Sequence, residues 1–225
     1  MPYDVPKIMQ TSVASLFPPV IVTAELTTEV STDVLTEPEL KSISHCAKKR
    51  IQDFTRGRAC AHEALGKLGI THFSLLSGEK REPLWPAEIV GSITHTTGFA
   101  AAVAARRRDI ESVGIDCEVV ESVGRDLWER ICTPAERARL AELSEAESQQ
   151  QAALIFAAKE AFYKCQFPLS REWVGFEDVS IVVEAGSWRV VPENPLPVAT
   201  TWIEKLVGRY EFRERWVIAG IYCRV

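Results

Sequence analysis

Asp116 and Glu118 sit two apart in the run Gly114-Ile115-Asp116-Cys117-Glu118. On a β strand such residues point to the same face, so the two carboxylates project side by side while Ile115 and Cys117 face a core. Adjacent carboxylates repel each other unless a cation lies between them. Ligands that are all oxygen select a hard ion such as Mg²⁺, which keeps waters and takes phosphate oxygens as its remaining ligands. A solvated strand face with two independent acids is the alternative. A second segment, Phe156–Lys164 (FAAKEAFYK), carries Lys159, Glu160 and Lys164. Glu160 and Lys164 are four apart and share a helix face; on an exposed helix they would be an ion pair worth about 0.2–0.5 kcal/mol. Apolar residues flank both charges here, and Leu154, Ile155, Ala158 and Phe162 give the helix a buried face. A carboxylate and two lysines on such a helix suit a polar pocket for metal and phosphate. The third segment is Gly91-Ser92-Ile93-Thr94-His95-Thr96. A lone histidine beside small hydroxyl residues is commonly structural; as a cation or donor it could bind a phosphate oxygen.

The elements that must position these residues follow from pattern and punctuation. Val20–Leu26 reads as a strand. Thr36 followed by Glu39 is a capping box, opening a helical region to Leu68, of one helix or two, with Gly69 at its stop. Ser77–Pro86 (SGEKREPLWP) is a loop by its Gly and Pro content. Ile89–Thr94 and Phe99–Ala105 form a hairpin turned at Thr97-Gly98, and Ser112–Val120 is a strand. Thr133-Pro134-Ala135-Glu136 starts one helix, and Ser144 with Glu147 starts the next. That last helix is expected to end near Cys165, before Pro168. Four further strands are expected over Asp178–Glu184, Trp188–Val191, Val207–Phe212 and Trp216–Tyr222. Strands before and after helices in each half make the class α+β.

The stretch Glu88–Ala105 lies without gaps on Lys205–Tyr222, with Val90-Gly91 on Val207-Gly208 and Phe99 on Trp216. Two related hairpins would make the chain two similar halves, 1–110 and 111–225. The competing reading is that any two amphipathic hairpins look alike.

The order SITH, then GIDCE, then FAAKEAFYK resembles the 4'-phosphopantetheinyl transferase family, over about Lys48 to Asp178. AKKR, GEKREPLWP and FPLSREWVGFEDV are similar to its monomeric branch, which includes the enterobactin-synthase component D type and the mycobacterial enzymes. The resemblance implies two similar α+β halves in a pseudo-twofold arrangement, with coenzyme A in the cleft between them. It implies Mg²⁺ on Asp116, Glu118 and Glu160, and phosphate contacts from Lys159 and His95. Arg50 and Arg58 match positions that hold the 3′-phosphate, and Lys80, Ser92 and Lys164 complete the candidate binding set. Arg81 stands where the family loop often has Gly, and Ser77 where some relatives place Lys. The implied activity moves 4'-phosphopantetheine from coenzyme A to a serine of an apo acyl or peptidyl carrier protein and releases 3′,5′-adenosine bisphosphate. Catalysis is assigned to Asp116, Lys159 and Glu160. Glu160 acts as base directly or through a bound water, and Lys159 supplies charge at the transferring group. An acidic helical carrier protein would meet basic residues at the cleft rim, with Arg137 and Arg139 as candidates.

Bulk properties set bounds. The chain has 225 residues and a net charge of -5, without the broad basic stripe of a nucleic-acid binder. No C-x-x-C pair occurs among the six cysteines, and no G-x-x-x-x-G-K-[ST] loop is present. Met1–Thr11 is polar and Pro18-Pro19 interrupts the apolar stretch after it, so neither a leader nor a membrane span is expected. A cytoplasmic protein with reduced thiols follows, and two fused halves make a monomer sufficient. The rival functions are a Mg²⁺-dependent phosphohydrolase and a non-catalytic domain that binds coenzyme A or carrier protein.

Overall fold

Two antiparallel sheets, each backed by a long helix, build the protein. The computed structural model describes residues 12–225, and the Met1–Thr11 stretch read above lies outside them. The elements in chain order are β1 (Val22–Leu26), α1 (Glu37–Ile43), α2 (Lys48–Lys67), β2 (Ile89–Thr96), β3 (Phe99–Arg106) and β4 (Ile110–Val119), followed by α3 (Trp128–Ile131), α4 (Pro134–Ala141) and α5 (Glu145–Ser170). The chain continues through β5 (Val179–Glu184), β6 (Ser187–Pro192), α6 (Thr200–Ile203), β7 (Leu206–Arg213) and β8 (Trp216–Arg224). The first sheet has the order β1-β3-β2 and the second β4-β8-β7-β6-β5. Helix α2 packs on the first sheet, and α5 on β4 and β8 of the second.

The unbroken apolar run of β3 has a simple cause: both of its faces are covered. Ala100, Ala102 and Ala104 pack toward α2 with Cys60, Ala61 and Leu65. Ala101, Val103 and Ala105 face the second sheet and join Ile115, Cys117, Trp216 and Ile218 in the core between the sheets. The small side chains let the helix and the other sheet approach closely.

The second sheet's first strand shows why the site can form. On β4, Ile115 and Cys117 enter the core between the sheets as expected, leaving Ser112, Gly114, Asp116 and Glu118 on the other face. A Cβ at Gly114 would lie 2.0 Å from the Ala161 carbonyl oxygen, so α5 sits directly on this backbone. Ser112 Oγ donates to the Cys165 carbonyl one turn further along α5. This close approach delivers Lys164 to Asp116. Gly114→Ala should therefore cost roughly 1–3 kcal/mol or more, because backbone rather than a side-chain tip must move. Urea denaturation checks this, and stability within about 0.5 kcal/mol of wild type would show that the helix is not pressed on β4.

Two pairs of elements recur along the chain, the helices at one offset and the hairpins at another. Helices α1 and α2 start at 37 and 48, and α4 and α5 start at 134 and 145, each 97 positions later. The hairpins β2–β3 and β7–β8 begin at 89 and 206, and their second strands at 99 and 216, as the gapless overlay requires. Gly91 and Gly208 play the same part, for each lies under a tryptophan, Trp85 and Trp188, that a Cβ would strike. Phe99 and Trp216, the overlaid aromatics, pack on each other at 5.5 Å between ring centroids.

One boundary differs from expectation. Helix α5 runs through Pro168 to Ser170. Proline there removes only one late hydrogen-bond donor, and the helix closes within three residues at Arg171, in the left-handed conformation with φ 59°.

Candidate active site

Strand β2 lies beside β4, and hydroxyl groups stitch the seam. Ser92 Oγ accepts the Ile115 N–H at 3.1 Å, and Thr94 Oγ1 accepts the Cys117 N–H at 3.0 Å. Thr94 Oγ1 also donates to Asp116 Oδ1 at 3.0 Å. From α5, Lys164 Nζ reaches the same Oδ1 at 2.6 Å and the carbonyls of Ile93 and Ile115 at 3.2 Å each. Lys164 thus ties α5 to both strands at the seam and holds one oxygen of Asp116. The other oxygen, Oδ2, is buried without a hydrogen-bond partner.

An orphaned carboxylate oxygen is costly and fits a missing ligand. Glu118, on the same face of β4, is pushed up to about 8 by burial and then by the charge of Asp116, with Glu160 adding to the rise and Lys164 opposing it. Burial and then Asp116 also raise Glu160, and Lys164 opposes. Asp116 thus disfavours the ionisation of Glu118 and Glu160, and Glu160 that of Glu118, which an oxygen-seeking cation would relieve. Among the described residues no three or more Asp, Glu, His or Cys side chains already stand together as a metal-holding group. Lys164 holds Asp116 through Oδ1 and leaves Oδ2 to a ligand. The donor set and the orphaned Oδ2 fit Mg²⁺.

A cleft of about 530 Å³ opens next to this acidic cluster, a size that suits a cofactor. Glu160 and Lys164 line it together with Arg50, Arg58, Lys80 and His95. Ser92 lines it too, although its hydroxyl is engaged at the seam. Arg50 is exposed, whereas Arg58 is buried and stacked over Phe54 at 4.2 Å. Burial brings Arg58 down to about 10; Glu39 opposes that fall and Arg50 adds to it. Arg58 therefore stays cationic at neutral pH, and two like charges on one wall suit an anion. His95 is exposed at its surface, yet the surrounding protein lowers its pKa, against Asp53 and with help from Lys164 and Arg50.

Lys159 does not join this group. Its Nζ lies 2.6 Å from Glu136 Oε2, 2.7 Å from the Phe176 carbonyl and 3.0 Å from the Ile131 carbonyl, and the residue is only 2% exposed. Adjacent residues on a helix point about 100° apart, so Lys159 cannot share the face of Glu160 and Lys164. The phosphate and catalytic roles expected for Lys159 are corrected: its three acceptors hold α5 to α3, to α4 and to the turn before β5. Arg137 and Arg139, the rim candidates, are spent on the carbonyls of Cys132 and Ile181.

Other residues of the site went unread in the sequence. Thr94 is one, although its two-residue spacing from Ser92 in a strand was a usable signal. Glu82 and Arg171 form another, a 2.7 Å ion pair that joins the 77–86 loop to the end of α5 beside the cleft. No local pattern announces a pair so distant in sequence.

Comparison with known proteins settles the family. A model described as 4'-phosphopantetheinyl transferase N-terminal domain matches residues 38–105, and one described as 4'-phosphopantetheinyl transferase superfamily matches residues 112–216. The 4'-phosphopantetheinyl transferase Svp of Streptomyces mobaraensis is 31% identical over 93% of this chain and 88% of its own length. The chain belongs to the 4'-phosphopantetheinyl transferase superfamily. The 4'-phosphopantetheinyl transferase PptT of Mycobacterium tuberculosis is 40% identical over 66% of this chain and 65% of that protein, so the match spans just under two thirds of that relative. Enterobactin synthase component D of Escherichia coli K12 is 39% identical over 59% of this chain and 62% of that protein. These likenesses agree with the branch that the motifs indicated.

The two departures from the superfamily's loop pattern now have physical content. Arg81, where the resemblance led to an expectation of Gly, has φ 67°, a left-handed conformation that glycine adopts without strain. Ser77, the other departure, accepts a 3.1 Å hydrogen bond from Arg58 Nη2. Among the described residues no helix is long and apolar enough to cross a membrane. All six cysteines are free, and only Cys46 is exposed.

Proposed function

We propose that this chain transfers 4'-phosphopantetheine from coenzyme A to a serine hydroxyl of an apo acyl or peptidyl carrier protein, with Mg²⁺, releasing 3′,5′-adenosine bisphosphate. The observation that carries the reading is one cleft in which a basic wall of Arg50, Arg58 and Lys80, with His95 beside it, continues into Glu160 and Lys164, with Asp116 bound to Lys164. A diphosphate ester with an additional phosphate needs both ends. Superfamily membership supports the same chemistry.

Asp116, Glu118 and Glu160 would hold the Mg²⁺, which when bound supplies charge neutralisation for the leaving nucleotide. The chain's own residues do the rest. Arg50 and Arg58 grip the 3′-phosphate, where planar guanidinium groups donate paired hydrogen bonds. His95 donates to a phosphate oxygen, with Lys80 and Ser92 beside it. Lys164 fixes Asp116 and adds charge near the diphosphate. Glu160 takes the serine proton as the hydroxyl attacks phosphorus. Lys159 has no part in this scheme. The division into halves 1–110 and 111–225 draws support from the repeated helices and hairpins. A monomer in the cytoplasm completes the proposal.

Nucleotide release tests the reading against its rivals. With coenzyme A and Mg²⁺, the bisphosphate should appear only when apo-carrier protein is added. Release without carrier protein would mark a hydrolase, and no release with it would mark a binder.

Arg50 offers the cleaner test of the 3′-phosphate site, because Arg58 also pins the loop. A charge-assisted contact is worth about 1.5–3 kcal/mol, so Arg50→Ala should weaken use of coenzyme A roughly ten- to a hundredfold. Use of dephospho-coenzyme A should hardly change, since it lacks the group held. Transfer rates with both donors check this, and an equal loss on both would remove Arg50 from the site.

A further inference from the structure

We propose that Glu39 and His62 are positioning residues for the nucleotide-facing wall of the cleft, acting through the backbone of Leu75 and the side chain of Arg58. The proposal rests on the reading of the cleft given above.

Glu39 is completely buried, and its two oxygens do different things. Oε2 accepts the Thr36 N–H at 2.8 Å and the Thr36 hydroxyl at 3.0 Å, which caps α1. Capping needs nothing more. Oε1 nevertheless accepts the Leu75 N–H at 2.8 Å and lies 2.9 Å from His62 Nε2. The Leu75 carbonyl is taken from the other side by Arg58 Nε at 2.6 Å, and Arg58 Nη2 continues to Ser77 Oγ. Both backbone polar groups of Leu75 are thus held by charged side chains from α1 and α2, and its own side chain is wholly buried. A loop seldom receives such an anchor, because burying charged groups is costly unless each is fully paired.

What hangs from the anchor gives it a purpose. Beyond Leu75 the chain folds into a small hairpin, with Leu84 N–H bonded to the Leu76 carbonyl and Gly78 N–H to the Glu82 carbonyl. Ser77, Lys80, Arg81, Glu82 and Trp85 of this hairpin all line the cleft. Apart from the Glu82–Arg171 pair, its charged side chains have no ion partner among the described residues. Its placement therefore rests on its root, with the Glu82–Arg171 pair and Trp85 over Gly91 as its other attachments.

The repeat in the fold makes the point by contrast. Thr36, Glu39 and His62 correspond, 97 positions on, to Thr133, Glu136 and Lys159. Glu136 also caps its helix, accepts a backbone N–H from Ile181 and pairs with a residue of the following long helix. In the second half that backbone belongs to β5, and the device ties strand to helices. In the first half it belongs to a cleft-lining loop, and Arg58 is added.

The test uses the full chain with Glu39→Gln, which removes the charge but keeps the shape, and His62→Ala, whose quarter-exposed side chain makes folding safer. Amide hydrogen exchange over residues 75–86 reads the anchor in the free protein. Steady-state transfer reads its use. Loop exchange should quicken while α5 keeps its protection. KM for coenzyme A should rise about tenfold with kcat at saturation held within about twofold. Unchanged loop exchange and KM in a folded variant would overturn the proposal. So would a parallel loss of kcat, KM and protection throughout the chain, which marks a plain folding role. Failure of the wild type to transfer from coenzyme A would instead overturn the proposed function, and loop exchange alone would then decide whether the anchor exists.

Discussion

Asp116→Asn should give a folded protein whose transfer activity, as kcat/KM, falls by about a thousandfold or more. Asparagine has nearly the same shape and can still accept from Thr94 and Lys164, which hold Oδ1 in the wild type. Removing the charge also relieves Glu118 and Glu160, both raised in part by Asp116. The loss of the Lys164 ion pair acts in the opposite direction, so stability should move little. What disappears is the ligand charge that the orphaned Oδ2 offers. Full activity with Mg²⁺ present would remove Asp116 from the metal site; a collapse of the thermal transition would mean that the residue serves folding instead.

Lys159→Met should lower stability by about 3–5 kcal/mol, the usual cost of breaking a buried pair from one side. Glu136 would keep the N–H groups of Thr133 and Ile181 but lose the Lys159 cation. The Ile131 and Phe176 carbonyls would lose their donor as well. Adding Glu136→Leu should recover only part of the loss, because the cap and the Ile181 N–H then go unsatisfied. Denaturant titration checks both variants. A Lys159→Met protein as stable as wild type but inactive would return Lys159 to the phosphates.

Lys159 and Glu160 also show what a sequence can tell. Both stood in one motif, and the resemblance placed Lys159 at the phosphates and Glu160 on the Mg²⁺ beside them. The helix separates them by its turn, and only the packing of α3, α4 and β5 decides which faces the cleft. Asp116 and Glu118 were legible because strand alternation is local and strict. The hairpin echo was legible for the same reason, since two-residue turns keep register. The helix repeat was missed, although Thr36-x-x-Glu39 and Thr133-x-x-Glu136 were both noted as caps. A cap announces a helix start but not what its second carboxylate oxygen will hold. Pro168 misled because its rule concerns helix interiors, and here one turn remained. The Glu82–Arg171 pair and the grip of Arg58 on Leu75 depend on tertiary approach, which no spacing encodes.

The most direct test of the account weighs the acceptor. An apo-carrier protein incubated with wild-type chain, coenzyme A and Mg²⁺ should gain the mass of one phosphopantetheine on one serine, and should stay almost wholly unmodified over the same time when Asp116→Asn replaces wild type. An unmodified carrier with the wild type, or a carrier modified equally by both proteins, would contradict the central claim.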